Sequence, residues 1–153
     1  MQIINTLNLN QARKQIQEFK KQKKPIIIKA QNDEFNRKIL ENKDVDIVVG
    51  LESHNRKDRL KQRDSGLNEI LCKIAKKNNI KIGMDLEKIK NIKGREKAVL
   101  LARIIQNIKL CKKTGAEIVL IGKYEKKNAF SFLVTLGAST EMAKKAVEET
   151  KQE

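Results

Sequence analysis

The sequence predicts an α/β fold of mostly parallel strands. Three observations predict it: apolar spacing switches repeatedly between helical and extended periods, the extended runs are short and apolar on both faces, and a helical segment separates each from the next. Met1 to Ile4 reads as a short first strand. Ala12, Ile16 and Phe19 recur at helical spacing, and Pro25 precedes the extended run Ile26-Ile27-Ile28. A second helix follows from Phe35, Ile39 and Leu40, and a strand from Val45, Ile47, Val48 and Val49. Leu67, Ile70, Leu71, Ile74 and Ala75 make the next amphipathic helix, for which Asp64 or Ser65 is the expected N-cap. Ile80 to Leu86 reads as a strand, Gly94 to Lys113 as a long helix ended by Gly115, and Glu117 to Gly122 as a strongly apolar strand. Phe130–Leu136 and Thr140–Val147 close the chain as helices. Four or five strands are too few for a closed eight-stranded barrel, so the expected shape is an open or partial barrel. No low-complexity linker or internal repeat divides residues 1–153, which read as a single domain.

Composition narrows the partners. The chain has 153 residues, 39% of them hydrophobic, enough for a core of ordinary size. Its formal net charge is +15, an imbalance that disfavours self-packing unless a polyanion is the neighbour. A charged surface of the thermophilic kind would raise Glu along with Lys, so nucleic acid is the favoured partner. The cations are 27 lysines and seven arginines, which suits diffuse contact with phosphates better than bidentate reading of guanine edges. Trp is absent and aromatic residues are 3% of the chain, which disfavours an aromatic stacking platform. No run of about 18 apolar residues and no leader pattern is present, so no membrane partner is expected and a cytoplasmic location is. Cys72 and Cys111 fall within helical patterns and read as core thiols rather than zinc ligands or a disulfide.

In parallel α/β folds, function gathers in the loops at the C-terminal ends of the strands. Here those loops are basic. The segment Ser53 to Asp64 carries Arg56, Lys57, Arg59, Lys61 and Arg63 against Asp58 and Asp64; Lys88, Lys90, Lys93 and Arg95 follow the next strand; Lys123, Lys126 and Lys127 follow the last. A single charge run is usually a solvated face, but three on one sheet edge favour phosphate binding, since each phosphate neutralised releases counterions.

The inventory for protein-based catalysis is thin. His54 is the only histidine, so neither a His-rich multi-metal site nor a convincing nucleophile triad can be assembled. Asp85, with Glu52 and Glu87, could form a carboxylate site for magnesium, although acids so placed more often pair with lysine. Gly94-Arg95 and Gly122-Lys123 could offer amides to a phosphate, but neither has P-loop spacing.

The most informative string is Asp64-Ser65-Gly66-Leu67-Asn68, which joins the basic loop to the amphipathic helix and runs through Leu71-Cys72-Lys73-Ile74-Ala75 to Ile82-Gly83. Together with Asn55-Arg56-Lys57, and with Arg103, Asn107, Leu110 and Lys112 on the long helix, it resembles the archaeal ribonuclease P protein component three, counterpart of the thirty-kilodalton subunit of the eukaryotic enzyme. The resemblance covers about residues 45 to 147, at lower specificity through Leu136-Gly137 and Ala143-Lys144-Lys145-Ala146. It implies a TIM-like barrel without the metal site of related phosphoesterases. It also implies a protein cofactor for a catalytic RNA that removes the 5′ leader of precursor tRNA, acting beside a small ferredoxin-like protein subunit. Catalytic residues and protein-bound metal are then expected to be absent, with magnesium held by the RNA. Two departures stand out. Family members are typically longer, so this chain reads as a shortened version with an open barrel, and Gly122-Lys123-Tyr124-Glu125 replaces the usual small, serine-containing turn.

The candidate RNA-binding residues are therefore Arg56, Lys57, Arg59, Lys61 and Arg63, joined by Lys88, Lys90, Lys93, Arg95, Lys123, Lys126 and Lys127. Asn68 could reach a loop or RNA, and Arg103, Asn107 and Lys109 could form an exposed face or a protein-partner surface. Two other readings stay open: a stand-alone metal-dependent phosphoesterase or nuclease using Asp85, Glu52 and Glu87, and a scaffold that binds protein.

Overall fold

The computed structural model describes residues 2–53 and 57–148. Five strands, β1 (Ile3–Ile4), β2 (Ile27–Lys29), β3 (Ile47–Val49), β4 (Lys81–Asp85) and β5 (Ile118–Ile121), form one sheet in the order of the chain. Every neighbouring pair is parallel, and the sheet is not closed. The crossovers carry α1 (Leu9–Lys21), α2 (Asp33–Leu40), α3 (Glu69–Lys77), and the pair α4 (Leu86–Asn91) and α5 (Gly94–Thr114); α6 (Lys126–Thr135) and α7 (Thr140–Glu148) follow β5. The expected open α/β architecture is thus the observed one.

Local chemistry sets the helix starts. Asn8 accepts hydrogen bonds from the amides of Asn10 and Gln11, and Asn32 from that of Phe35, each satisfying amides that the first helical turn leaves free. For α3 the cap is Asn68, which accepts from Leu71 N at 2.9 Å. Neither Asp64 nor Ser65, the caps expected from the sequence, takes that role, because they stand too far before the first helical residue. Asp64 instead closes a turn by accepting from Gly66 N at 3.1 Å, and Gly66 supplies the positive φ of 79° that the turn requires.

The alternation of side chains gives the sheet two unlike faces. In register, Ile28, Val48, Ile82 and Ile118 sit side by side and join the main core beneath the helices, with Ile16, Leu40, Ile104 and Ile108 among its most buried members. Ile27, Val49, Val119 and Ile121 lie on the other face and form a second, smaller cluster. Cys72 on α3 and Cys111 on α5 are free and buried, as core thiols. Two segments differ from expectation. Residues 86–91 after β4 form a short helix rather than loop, because Asp85 accepts from Lys88 N at 3.1 Å and so starts a turn that Leu86 and Ile89 anchor by burial. The next helix after β5 begins at Lys126, placing Lys126 and Lys127 in its first turn.

Gly83 sits at the centre of the sheet, paired with Val49 and Val119. A Cβ there would lie 2.8 Å from Ile47 Cγ2 and 3.3 Å from Val49 Cβ. Because a β-branched neighbour in a paired strand cannot swing aside, Gly83→Ala is expected to destabilise the protein by about 1–3 kcal/mol. Thermal unfolding should register this as a melting temperature several degrees lower.

Candidate nucleic-acid interface

Parallel pairing places the ends of β3, β4 and β5 at one edge, and direct contacts join the segments that follow them. Lys88 Nζ on α4 donates to the Ser53 carbonyl at 3.4 Å, linking the β4 and β3 segments. Lys90 Nζ donates to the Lys123 carbonyl at 2.8 Å, and Lys123 N to Glu87 Oε1 at 3.4 Å, linking β4 to β5. Lys57, Arg59, Lys61, Arg63, Lys88, Lys90, Lys93, Arg95, Lys123, Lys126 and Lys127 are all exposed. Arg56 lies outside the described residues, as does His54. Lys90 pairs with Glu87 at 3.5 Å and Arg63 with Asp58 at 2.7 Å, whereas Lys57, Lys61, Lys93, Arg95, Lys126 and Lys127 have no ion-pair partner among the described residues. Carboxylates therefore neutralise only part of this edge.

The connection from β3 to α3 is held by Arg103 and Asn107, for which the sequence suggests an exposed face or a protein-partner surface. Arg103 is 9% exposed and points inward from α5. Its Nη1 donates to the Glu52 carbonyl at 3.4 Å and its Nη2 to Asp58 Oδ1 at 3.2 Å. Asp58 also accepts from Asp64 N at 2.8 Å, and that amide, followed by Arg63 and Arg103, holds its carboxyl down at about 2, so it is charged at any physiological pH. Asn107, one turn further along α5 and buried, donates to the Ser65 carbonyl at 3.3 Å. Arg103 and Asn107 are thus internal ties of the basic segment, while Lys109 is exposed. The signal was present in the sequence: both fall within the apolar stripe Leu100, Ile104, Ile108 and Cys111.

The acids considered for metal chemistry are differently occupied. Asp85 caps α4, and Glu87 reaches Lys90 and the Lys123 amide. Glu52 is 2% exposed, and burial, reinforced by Asp85 and opposed by Lys88, raises its carboxyl from its usual 4.5 to about 7. Among the described residues, no three His, Cys, Asp or Glu side chains group as a metal site would need, and no helix is long and apolar enough to cross a membrane.

A class follows from this geometry: an open parallel α/β sheet with exposed basic residues gathered after three neighbouring strands. No family model matches the chain, but individual relatives do. It is similar to Ribonuclease P protein component 3 of Methanocaldococcus jannaschii, 28% identical over 151 residues, which cover 95% of this chain and 62% of that protein. The Methanosarcina acetivorans protein of the same name is 31% identical over 105 residues, covering 69% of this chain and 41% of its own. A chain in a cryo-EM structure of archaeal ribonuclease P with mature tRNA superposes with a TM-score of 0.77 at 26% identity, covering 95% of this chain and 63% of that one. The resemblance read from Asp64-Ser65-Gly66-Leu67-Asn68 and its surroundings is therefore found along most of the chain: it is a relative of the archaeal ribonuclease P protein component 3. The chain spans about half the length of the curated relatives it matches. A further likeness, to an uncharacterised protein at 8% identity and a TM-score of 0.60, concerns the fold alone.

The raised Glu52 carboxyl makes stability depend on pH. Between about pH 4.5 and 7 the folded chain holds a proton there that the unfolded chain has lost, so stability falls as pH rises through that window and levels off above it. Glu52→Gln should remove most of this slope and raise stability at about pH 8, by up to about 3 kcal/mol. Melting temperatures of both proteins at about pH 5 and about pH 8 check it; parallel pH profiles would place the titrating group elsewhere.

Proposed function

We propose that this chain is an RNA-binding protein subunit of ribonuclease P, assisting the catalytic RNA in removing the 5′ leader from precursor tRNA. The observation that carries this reading is the joining of three basic segments at one edge of a sheet whose sequence and fold are similar to those of archaeal ribonuclease P protein component 3. Lysines held in place by backbone carbonyls present positive charge with little conformational freedom left to lose. Phosphates docking against them release counterions, which favours binding most at low salt.

Chemistry in this reading belongs to the RNA and to magnesium bound by it. The protein lowers the repulsion between the phosphates of catalytic RNA and substrate, so that less magnesium is needed for the two to come together. Lys57, Arg59, Lys61, Arg63, Lys88, Lys90, Lys93, Arg95, Lys123, Lys126 and Lys127, with Arg56, are the proposed contacts. A small ferredoxin-like protein subunit is the proposed protein partner.

Leader cleavage of precursor tRNA at low magnesium tests the reading, with catalytic RNA and the small subunit in the presence and absence of this chain. The expected result is cleavage restored only in the full mixture. Equal cleavage without the chain, or cleavage by the chain alone, would overturn it. Replacing Lys57, Lys61, Lys126 and Lys127 by Ala should reduce the slope of log affinity for the catalytic RNA against log salt by about 0.7–0.9 for each charge that contacts a phosphate. The melting temperature should hardly move, because none of the four has an ion-pair partner among the described residues. Arg63→Ala is expected to differ by lowering stability as well, since it takes a partner from Asp58.

A further inference from the structure

A cleft of about 290 Å³ opens beside the basic segment, between the start of α2, the turn leading into α3, and α5. Its volume is near the lower end of the roughly 300–1,000 Å³ typical of small-ligand sites, too small for a duplex. Three of the chain's seven arginines, Arg37, Arg59 and Arg63, line it, although lysines outnumber arginines almost four to one overall. Arg37 pairs with Glu41 and Arg63 with Asp58, while Arg59 has no side-chain partner among the described residues.

The lining is not that of a simple anion site. Asp33 and Asp64 also border the cleft, and a bare phosphate would meet their carboxylates as well as the guanidinium groups. Leu67 and Leu71 give it an apolar part. Two further lining groups are buried polar atoms without a hydrogen-bond partner among the described residues, Ser65 Oγ and Gln106 Oε1, Ser65 being only 1% exposed. Unsatisfied buried polar atoms are costly, and a ligand carrying donors would relieve the cost.

A nucleotide has the complementary chemistry: a phosphate for Arg59, an apolar ring face for the leucines, and ring-edge amino or imino donors for Gln106 and the carboxylates. We propose that this cleft is a pocket for one unpaired nucleotide of a bound RNA, with Arg59 taking the phosphate and Gln106 and Ser65 meeting the base edge. This rests on the ribonuclease P reading and deepens it. The edge lysines would bind RNA of any sequence, whereas a pocket of this size requires one nucleotide to leave its helix.

The four ribonucleoside 5′-monophosphates and inorganic phosphate, each titrated into the isotope-labelled full chain, test the pocket by NMR. At least one monophosphate should shift the amides of Ser65 to Asn68 and the Gln106 side chain at millimolar concentration, and inorganic phosphate should not. Gln106→Leu should weaken that binding about tenfold or more, while leaving the salt slope for the catalytic RNA unchanged. Equal shifts from phosphate and every monophosphate would reduce the cleft to an anion site and overturn the proposal. So would the absence of shifts from a chain that still binds the catalytic RNA. Monophosphate binding by a chain that neither binds that RNA nor restores leader cleavage would instead retain the pocket and remove the ribonuclease P reading.

Discussion

Strictly parallel pairing in chain order is the constraint on which the rest of the molecule depends. Each strand must return to the same end of the sheet before the next begins, so every crossover spends its helix on the return and its loop on one edge. The five strands are only two to five residues long, and their hydrogen bonds alone could not hold such an arrangement. The β-branched and aliphatic side chains Ile28, Val48, Ile82 and Ile118 hold it by aligning on the helix-covered face. That burial brings together loops remote in sequence and makes three separate charge runs a single surface.

Gathering cations in this way carries a repulsive cost, which partly exposed carboxylates, Asp58 and Glu87, offset only in part. Asp58 accepts from Arg63, Arg103 and the Asp64 amide at once, so one carboxylate fixes a segment that would otherwise be pushed outward. Lys88 and Lys90 donate to carbonyl oxygens, which restrain their positions while keeping their charge. Glu52 behaves differently: buried beside Asp85, its carboxyl stays largely protonated until about neutral pH and offers little neutralising charge. The edge therefore keeps most of its positive field toward solvent.

How far the sequence discloses all this depends on which interactions are local. Helices and strands whose apolar spacing is regular were readable almost to the residue, as with the strands at Ile47–Val49 and Ile118–Ile121. The short helix 86–91 was not, because six residues with alternating lysines carry too little periodicity and its start depends on Asp85 turning back to cap it. The cap of α3 was misplaced because Asp, Ser and Asn are all competent caps, and only the observed backbone selects Asn68. Among candidate site residues, exposure of the basic side chains followed from charge alone. The inward turn of Arg103 and Asn107 is half legible: their place in the apolar stripe signals it, but their partners, tens of residues away, emerge only from the fold.

The division of labour between the two kinds of cation then becomes intelligible. Lysine is a point charge on a flexible stem, suited to a partner whose phosphates vary in position; arginine is a planar fork that rewards fixed geometry. The chain largely follows this: Arg103 spans a carbonyl and a carboxylate inside the fold, Arg63 and Arg37 pair with acids, and most edge lysines, Lys90 excepted, have no ion-pair partner among the described residues. A polyanion approaching this surface meets mostly adaptable charge, with arginine donors at Arg95 and near the cleft at Arg59. In the proposed reading the edge lysines supply salt-dependent attraction to phosphates, the uncharged Gln106 and Ser65 supply local selection, and Arg59 serves both.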